Sequence, residues 1–339
     1  MNLHVTGEIM QHNIGGIATV IDQIYYHSKN SQILFVHKNI DMDLKLPNDI
    51  KTCSISKLNS YMKDVKYDNI IFHNFIIFKE WLKNNTINNN CYYVMHSNTF
   101  MEKNYKYNNF SDENVDDMFY IVQNTNVITI SEYERKMLLK ICKRKNIIPK
   151  NILVIENGLN FKDENKYENN ITNNFGYIGR MDFRKGLTFL YKYWDGIKLK
   201  LLVASGGYEK YNNLFFEELC SLQSKNIIHL GYCSGKRKDN FFKNIDALII
   251  PSIYEPFGMV LLECIDNNKL PICNKHGGML EILGEDYPFY FNIEDKESLY
   301  LCLSNFIKYP NKQELLFKIK EHVSNKYSIQ KMIDKYDNL

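Results

Sequence analysis

The chain has 339 residues, with 42 basic and 39 acidic side chains and a formal net charge of +3. Its length predicts about two domains, and its 45% hydrophobic and 24% charged residues exclude wholesale disorder. No apolar run reaches the roughly 18–20 residues of a membrane-spanning helix, and the first residues lack a signal-peptide pattern. We therefore expect a globular, cytoplasmic protein.

The cysteines and the overall charge limit the kinds of partner. Eight cysteines are scattered along the chain and form neither a CxxC pair nor a cluster with histidines. Such cysteines are typically small buried hydrophobic side chains, so we expect no zinc site and no disulfide framework. The nearly neutral charge gives no global reason to expect a polyanionic partner.

The first half of the chain alternates short apolar runs with longer stretches whose apolar residues recur at helical spacing. The short runs are rich in Val, Ile, Phe or Tyr, which is typical of strands. These predicted strands are 3–6, 33–37, 69–74, 91–96, 127–131 and 152–156. The clearest predicted helices in this half are 16–27 and 131–145.

The second half repeats the alternation. Its predicted strands are 175–179, 199–204, 227–231, 247–251 and 271–274. Strands that alternate with helices predict parallel sheets covered on both faces. The polar stretch 161–174 lacks apolar periodicity and is the predicted linker. We expect an α/β protein with two doubly wound domains joined near residue 165, and ligands at the carboxyl ends of the strands.

The segment 246–263, DALIIPSIYEPFGMVLLE, combines a predicted strand, a loop and the start of a helix. Glu255 lies on the loop, and Glu263 lies about one turn into the helix. A loop that enters a helix after a parallel strand presents free backbone N–H groups to an anion. A carboxylate one turn further could accept hydrogen bonds from sugar hydroxyls, or could simply be a favourable acid near the helix N-terminus.

Two further segments place cations or glycines directly after a predicted strand. In FGYIGRMDFRKGL, Arg180 and Lys185 flank a tight turn. They could bind a diphosphate, or they could be a solvated surface pair. In IGGIATVIDQIYY, Gly15 and Gly16 open a predicted helix. These glycines could let the backbone approach a ligand, or could form a simple turn.

Together these segments resemble the retaining glycosyltransferases of the GT-B fold, specifically glycosyltransferase family 4. The E-x7-E motif of that family is read here from Glu255 to Glu263, and GRMDFRKG resembles its diphosphate-binding turn. Three further stretches follow in the expected order: IENGLN, LGYCSGKRKDNFFKNIDALIIPS and LPICNKHGGMLEIL. The resemblance covers about residues 1–330 and is strongest over 175–285. Asn160 and Ser97 depart from the family pattern without removing a hallmark residue.

The resemblance implies a GT-B architecture, in which two doubly wound, Rossmann-like domains face an interdomain cleft. The N-terminal, acceptor-side domain would take residues 1–165, and the nucleotide-sugar-binding domain would take 166–315. The C-terminal helix, residues 316–339, would pack back on the N-terminal domain.

The same resemblance assigns roles to individual residues. Glu263 would hold the ribose hydroxyls, and Glu255 would contact hydroxyls of the transferred sugar. Arg180 and Lys185 would neutralise the departing diphosphate, the kind of electrostatic stabilisation that usually dominates catalysis. Backbone groups of the donor site would come from Gly15, Gly16, Phe257, Gly258 and Met259.

His96, which follows the predicted strand CYYVM, would hydrogen-bond a sugar hydroxyl from the other domain. It could also be a histidine with only structural partners at a strand end. Retention would follow a same-face displacement in which the departing phosphate takes the proton of the acceptor. The resemblance implies neither a metal nor a resident cofactor.

The implied reaction is transfer of a sugar from a nucleotide-diphosphate donor, a UDP-sugar first, to a hydroxyl of a glycan or lipid-linked acceptor. A cell-surface pathway is expected, such as capsule, lipopolysaccharide or teichoic-type synthesis. The basic helix 136–145 could rest on the inner face of an anionic membrane, follow a nucleic-acid backbone, or be a solvated face. The alternatives are a glycosyltransferase acting on nucleic acid, such as modified viral DNA bases, and a catalytically inactive GT-B partner subunit.

Overall fold

The computed structural model describes residues 1–8, 16–37, 46–47, 49–63, 66–103, 111–162, 174–206, 213–222 and 224–339. These residues separate into two compact units. Unit 1 contains the described residues up to 160 together with 327–339, and unit 2 contains the described part of 161–326. The predicted junction near residue 165 lies outside the described residues.

Unit 1 is built on a seven-stranded, fully parallel sheet with the spatial order β3-β2-β1-β4-β5-β6-β7. Its strands are β1 (Asn2–Thr6), β2 (Ser31–His37), β3 (Lys51–Ser54), β4 (Asn69–Phe72), β5 (Cys91–Met95), β6 (Asn126–Thr129) and β7 (Asn151–Val154). Its helices are α1 (Gly16–His27), α2 (Leu58–Lys63), α3 (Phe75–Leu82), α4 (Thr99–Lys103), α5 (Asp112–Asn124), α6 (Glu132–Arg144) and the last of the chain, α14 (Ile329–Asp337).

Unit 2 repeats the arrangement on a six-stranded parallel sheet with the order β10-β9-β8-β11-β12-β13. Its strands are β8 (Asn174–Arg180), β9 (Lys200–Gly206), β10 (Ile227–His229), β11 (Ala247–Ile250), β12 (Leu270–Asn274) and β13 (Tyr290–Phe291). Its helices are α7 (Leu187–Trp194), α8 (Asn213–Ser221), α9 (Gly235–Lys243), α10 (Met259–Asp266), α11 (Gly277–Leu283), α12 (Lys296–Lys308) and α13 (Lys312–Lys326).

The predicted α/β class and the two doubly wound sheets are confirmed. The predicted strands of both halves form within a few residues of their predicted bounds, whereas β3 and β13 were not predicted. In each sheet the strand order reverses beside the first strand, between β1 and β4 and between β8 and β11. Ligands of such sheets bind at this reversal, outside the carboxyl ends of the strands.

Burial explains why the strands read as continuous apolar runs. Every residue of β6 and β11 is buried, as expected for parallel strands covered on both faces. Some helices begin where a polar side chain accepts from a free backbone amide of the first turn: Ser131 accepts from the amide of Glu134 at 3.0 Å at the start of α6. Apolar residues of each unit form its own core.

The cysteines behave as hydrophobic side chains, as predicted, with one exception. All eight are unpaired thiols; seven are buried and Cys220 is exposed. None of the helices in the described part of the chain has the length and apolar character needed to cross a membrane.

Candidate functional site

A tight turn follows β8 in unit 2, at the reversal of the strand order. Asp182 caps this turn by accepting from the backbone amide of Arg184 at 2.9 Å, and its carboxylate also binds the Arg184 guanidinium at 2.7 Å. Burial would raise the pKa of Asp182, but the cations of Arg184 and then Arg180 outweigh it and lower that pKa to about 2. The carboxylate therefore stays charged and fixes the shape of the turn.

The turn is joined to the loop that follows β11. The carbonyl of Arg184 accepts from the amide of Ile253 at 2.7 Å. Gly186 ends the turn in the left-handed region, at φ +72°. A Cβ at this position would lie 1.8 Å from the carbonyl oxygen of Pro251, so the close approach of the two segments requires glycine.

Lys185 and Glu255, two residues predicted for the site, meet where these segments join. Lys185 Nζ lies 2.6 Å from Glu255 Oε2, and Ser252 Oγ donates to the same carboxylate oxygen at 3.1 Å. The side chains of Lys185 and Glu255 are 21% and 9% exposed. The result is a preformed, mostly buried ion pair at the carboxyl ends of β8 and β11.

The loop carrying Glu255 is held by the start of α11. The carbonyl of Glu255 accepts from the amide of Gly278 at 2.8 Å. A Cβ on Gly278 would lie 2.0 Å from the carbonyl oxygen of Phe257, so only glycine permits this approach. Gly258, with φ +110°, precedes α10, whose first residue is Met259. The first amides of α10 have no partner within the helix, as at any helix N-terminus.

Glu263 lies in α10 and also has a cationic partner. Lys238 Nζ lies 2.7 Å from Glu263 Oε1, with the two side chains 29% and 19% exposed. Residues 236–238 lie in the first turn of α9, which begins at Gly235. The helix brings Lys238 onto Glu263.

Arg180 is the last residue of β8, and its carbonyl accepts from the hydroxyl of Tyr177 at 2.9 Å. Its guanidinium makes no ion pair with any other residue that the structure describes. The cation is therefore available to an anionic ligand at the same strand end as Lys185.

Two predicted residues lie in unit 1. Gly16 is the first residue of α1, as predicted, whereas Gly15 lies outside the described residues. His96 directly follows β5, and its Nε2 lies 3.0 Å from Nδ1 of His73. Burial lowers the pKa of His96 to about 3, so its imidazole is neutral at physiological pH.

The basic helix α6 uses its apolar side for the core of unit 1. Leu138 and Ile141 are buried there. The cations are exposed on the other side: Lys136, Lys140, Lys143 and Arg144, followed by Lys145. The exposed face is therefore basic, and these two buried residues are not available to a membrane.

Several polar residues around the site were not predicted. Ser252 is the second residue after β11 and lies three residues before Glu255. The position of polar residues after strands was the signal that could have identified it. Asp182 precedes the turn of Arg184 and Lys185, a pattern typical of a capping aspartate. Within the described residues, no three His, Cys, Asp or Glu side chains come together as a metal site.

Comparisons with known proteins match this site region. Residues 160–323 match the family described as "Glycosyl transferases group 1". An uncharacterised glycosyltransferase of Methanocaldococcus jannaschii is 30% identical over 114 residues, which cover 32% of this chain and 28% of that protein. A 42.6 kDa protein of the cps region of Klebsiella pneumoniae is 33% identical over 125 residues, which cover 37% of this chain and 32% of that protein. The chain thus aligns with about a third of the length of these relatives.

Solved structures match over nearly the whole chain. Sucrose-phosphate synthase from Thermosynechococcus elongatus superposes with a TM-score of 0.80 at 14% identity, covering 99% of this chain and 97% of that one. HepE of Anabaena in complex with UDP-glucose gives a TM-score of 0.74 at 14% identity and covers 100% of both chains. The fold is therefore GT-B, as predicted, and the similarity to the glycosyl transferases group 1 family is confined to residues 160–323.

Proposed function

We propose that the protein is a retaining glycosyltransferase that moves a sugar from a nucleotide-diphosphate donor to a hydroxyl acceptor. The Lys185–Glu255 pair carries the proposal, because it lies at the strand reversal of the matched domain and joins two residues of different predicted roles. A UDP-sugar is the first donor to test, since HepE was solved with UDP-glucose. The proposed pathway is cell-surface glycan synthesis on a glycan or lipid-linked acceptor.

The leaving diphosphate is the centre of the proposed mechanism. Arg180 offers a planar, bidentate donor and Lys185 a point charge, and both lie at the carboxyl end of β8. Lys185 is held by Glu255 before the donor binds, so little reorganisation of this cation is needed as negative charge develops on the leaving oxygen. Backbone amides at the start of α10 add further donors.

Glu255 is proposed to bind hydroxyls of the transferred sugar, and Glu263 those of the ribose. The Glu255 carboxylate already accepts from Lys185 and Ser252 through Oε2, which fixes its orientation. Its Oε1 is the oxygen left for a sugar hydroxyl. Lys238 holds Glu263 in the same manner.

The proposed chemistry breaks the bond between the sugar C1 and the diphosphate oxygen while the acceptor oxygen bonds to C1 on the same face. The acceptor proton passes to the departing phosphate oxygen. His96 is proposed to hydrogen-bond a hydroxyl of the sugar. The reaction is proposed to need neither a metal nor a resident cofactor, and the basic face of α6 is proposed to bring the enzyme to an anionic membrane surface.

The test is a thermal-shift and hydrolysis screen of the whole chain over UDP-, GDP-, ADP- and TDP-sugars, with and without EDTA. Lys185→Gln should abolish stabilisation by the preferred donor. Glu255→Gln should keep binding of the free nucleotide but lose sugar release. The matched control is Glu285→Gln, because Glu285 pairs with Lys275 at 3.0 Å in the same unit but is 70% exposed.

The outcomes separate the parts of the proposal. NMR of the released sugar gives its anomeric configuration. The configuration of the donor would support retention, and the opposite configuration would refute it. Loss of activity in EDTA would refute metal independence. If no nucleotide sugar stabilises the wild-type chain, the transferase proposal fails and a catalytically inactive partner subunit becomes the better explanation.

A further inference from the structure

One peptide group in the loop after β11 is hydrogen-bonded on both sides. This group joins Ser252 to Ile253. Its carbonyl accepts from Nδ2 of Asn274 at 2.9 Å, and its N–H donates to the carbonyl of Arg184 at 2.7 Å. Asn274 ends β12 and Arg184 lies in the turn after β8, so the partners come from the ends of the two strands that flank β11. Because a peptide group is planar, bonds on its two sides fix its orientation.

The side chain of Asn274 has a second backbone partner. Its Oδ1 accepts from the amide of Ile293, the second residue after β13, at 3.2 Å. A side-chain amide donates only from its nitrogen, so the carbonyl on one side and the N–H on the other determine which way it is turned. Asn274 is 7% exposed. It therefore joins three neighbouring strand ends, those of β11, β12 and β13, inside the protein.

Ser252 transmits this restraint to Glu255. The Ser252 hydroxyl donates to Glu255 Oε2 at 3.1 Å, three residues along the loop, and both residues are buried. A serine has a single hydroxyl proton, and here that proton goes to the carboxylate. The direction of the hydroxyl depends on the position of the Ser252 backbone, and Asn274 holds that backbone through its carbonyl.

We propose that Asn274 is a positioning residue for Glu255 and acts through Ser252, whose hydroxyl it directs to Oε2 so that Oε1 is left for the transferred sugar. Lys185 binds the same Oε2 at 2.6 Å, so both protein donors lie on one oxygen of the carboxylate. The contact with a sugar hydroxyl rests on the function proposed above. Without Asn274 the peptide group can rotate, and the Ser252 hydroxyl then leaves Oε2 or competes with the sugar for Oε1.

The restraint on the peptide group can be measured without a ligand. In Asn274→Ala the Ser252 carbonyl loses its donor, and the amide hydrogen of Ile253 should exchange roughly two- to tenfold faster, the effect of one neutral hydrogen bond. NMR of the full chain labelled with 15N-isoleucine follows this exchange. The matched control is Asn226→Ala. Asn226 Nδ2 also donates to a backbone carbonyl, that of Ile197 at 2.5 Å, but it precedes β10 and so lies at the opposite end of the sheet. This control should leave the exchange unchanged.

Activity measurements test whether Asn274 acts through Ser252. The probe is UDP-glucose, or the nucleotide sugar that the screen selects in its place. Ser252→Ala should lower kcat for its hydrolysis roughly tenfold, as expected from loss of a hydrogen bond to a charged group. Asn274→Ala should lower kcat by a similar factor and the double variant by no more, whereas independent effects would multiply to about a hundredfold.

The affinity for the free nucleotide separates positioning from a merely structural role. Calorimetry with UDP should give the wild-type affinity for Ser252→Ala, Asn274→Ala and the double variant, because Glu255 is assigned to the sugar and not to the diphosphate. A general loosening of the site would lower the UDP affinity together with kcat. Should Asn274→Ala not fold, Asn274→Asp removes the same donor while its carboxylate still accepts from Ile293.

Three results would overturn the inference. They are wild-type exchange at Ile253 in Asn274→Ala, effects on kcat that multiply in the double variant, and a loss of UDP affinity that equals the loss of kcat. If Ile253 exchanges as expected but no nucleotide sugar stabilises the wild-type chain, the proposed function fails and the restraint by Asn274 stands.

Discussion

The close contact between the turn after β8 and the loop after β11 depends on Gly186, which has no side chain. In Gly186→Ala, the new Cβ would start 1.8 Å from the Pro251 carbonyl oxygen, whereas real Cβ contacts stay beyond 3.0 Å. The two segments must therefore separate by about 1.2 Å, the difference between those distances. Gly196→Ala is the matched control, because Gly196 also has a positive φ, +88°, but no atom within 4 Å of the added carbon.

The comparison of the two variants isolates how much of the loss in unfolding free energy comes from the steric clash. In both, alanine must adopt a left-handed conformation, which costs about 1–2 kcal/mol. Gly186→Ala adds the cost of overpacking, about 1–3 kcal/mol. At 2–4 °C per kcal/mol for units of this size, its Tm should lie roughly 2–12 °C below that of the control.

The assay is urea and thermal unfolding of both variants followed by circular dichroism, together with the donor thermal shift. Because Lys185 precedes Gly186 directly, a displacement of about 1 Å should also weaken transition-state stabilisation, by up to 100-fold in rate. Equal unfolding midpoints for the two variants would refute the reasoning, since they would show that the turn and loop separate at no cost.

The other predictions concern Lys238 and the buried histidines. Lys238→Gln removes the partner that holds Glu263. Steady-state kinetics should show a KM for the donor that is raised roughly tenfold with little change in kcat, as expected from loss of a charged hydrogen bond. A fall in kcat alone would contradict a role of this pair in nucleotide binding. The pKa values of His4 and His96 fall from 6.5 to about 3 on folding, because burial disfavours the imidazolium. The unfolded chain therefore binds more protons below pH 6.5, so stability is complete above that pH and declines as the pH falls toward 3. Urea midpoints that stay constant from pH 7.5 to 5 would rule this out.

The apolar patterning was sufficient to predict most of the fold. Strands such as β6 and β11 are buried on both faces, and their apolar runs are visible in the sequence. The missed strands lack that signal: β3 reads KTCS with two exposed residues, and β13 has only two residues. Both are edge strands, which have a neighbouring strand on one side only.

The site was predictable where its residues share a local motif, and not where the sheet brings distant residues together. Lys185 and Glu255 were chosen because each follows a predicted strand, and their contact agrees with that rule. No sequence pattern links Lys238 with Glu263, because the two residues lie on different helices, α9 and α10. The contacts among His4, His73 and His96 could not be predicted from the sequence either, since the three meet only through the spatial order of β1, β4 and β5.

The return of α14 to unit 1 has a consequence for biosynthesis. Asn2 donates to the carbonyl of Tyr336 at 2.7 Å across a sequence separation of 334 residues. At 5–20 residues per second, the ribosome needs roughly 15–70 s to deliver the second partner after the first. The described part of unit 2 lies within the single stretch 161–326 and can fold while the chain is still being made. Unit 1, by contrast, stays incomplete until α14 has been made. Unit 1 is thus begun before unit 2 and completed after it, and chaperones would be needed most in that interval.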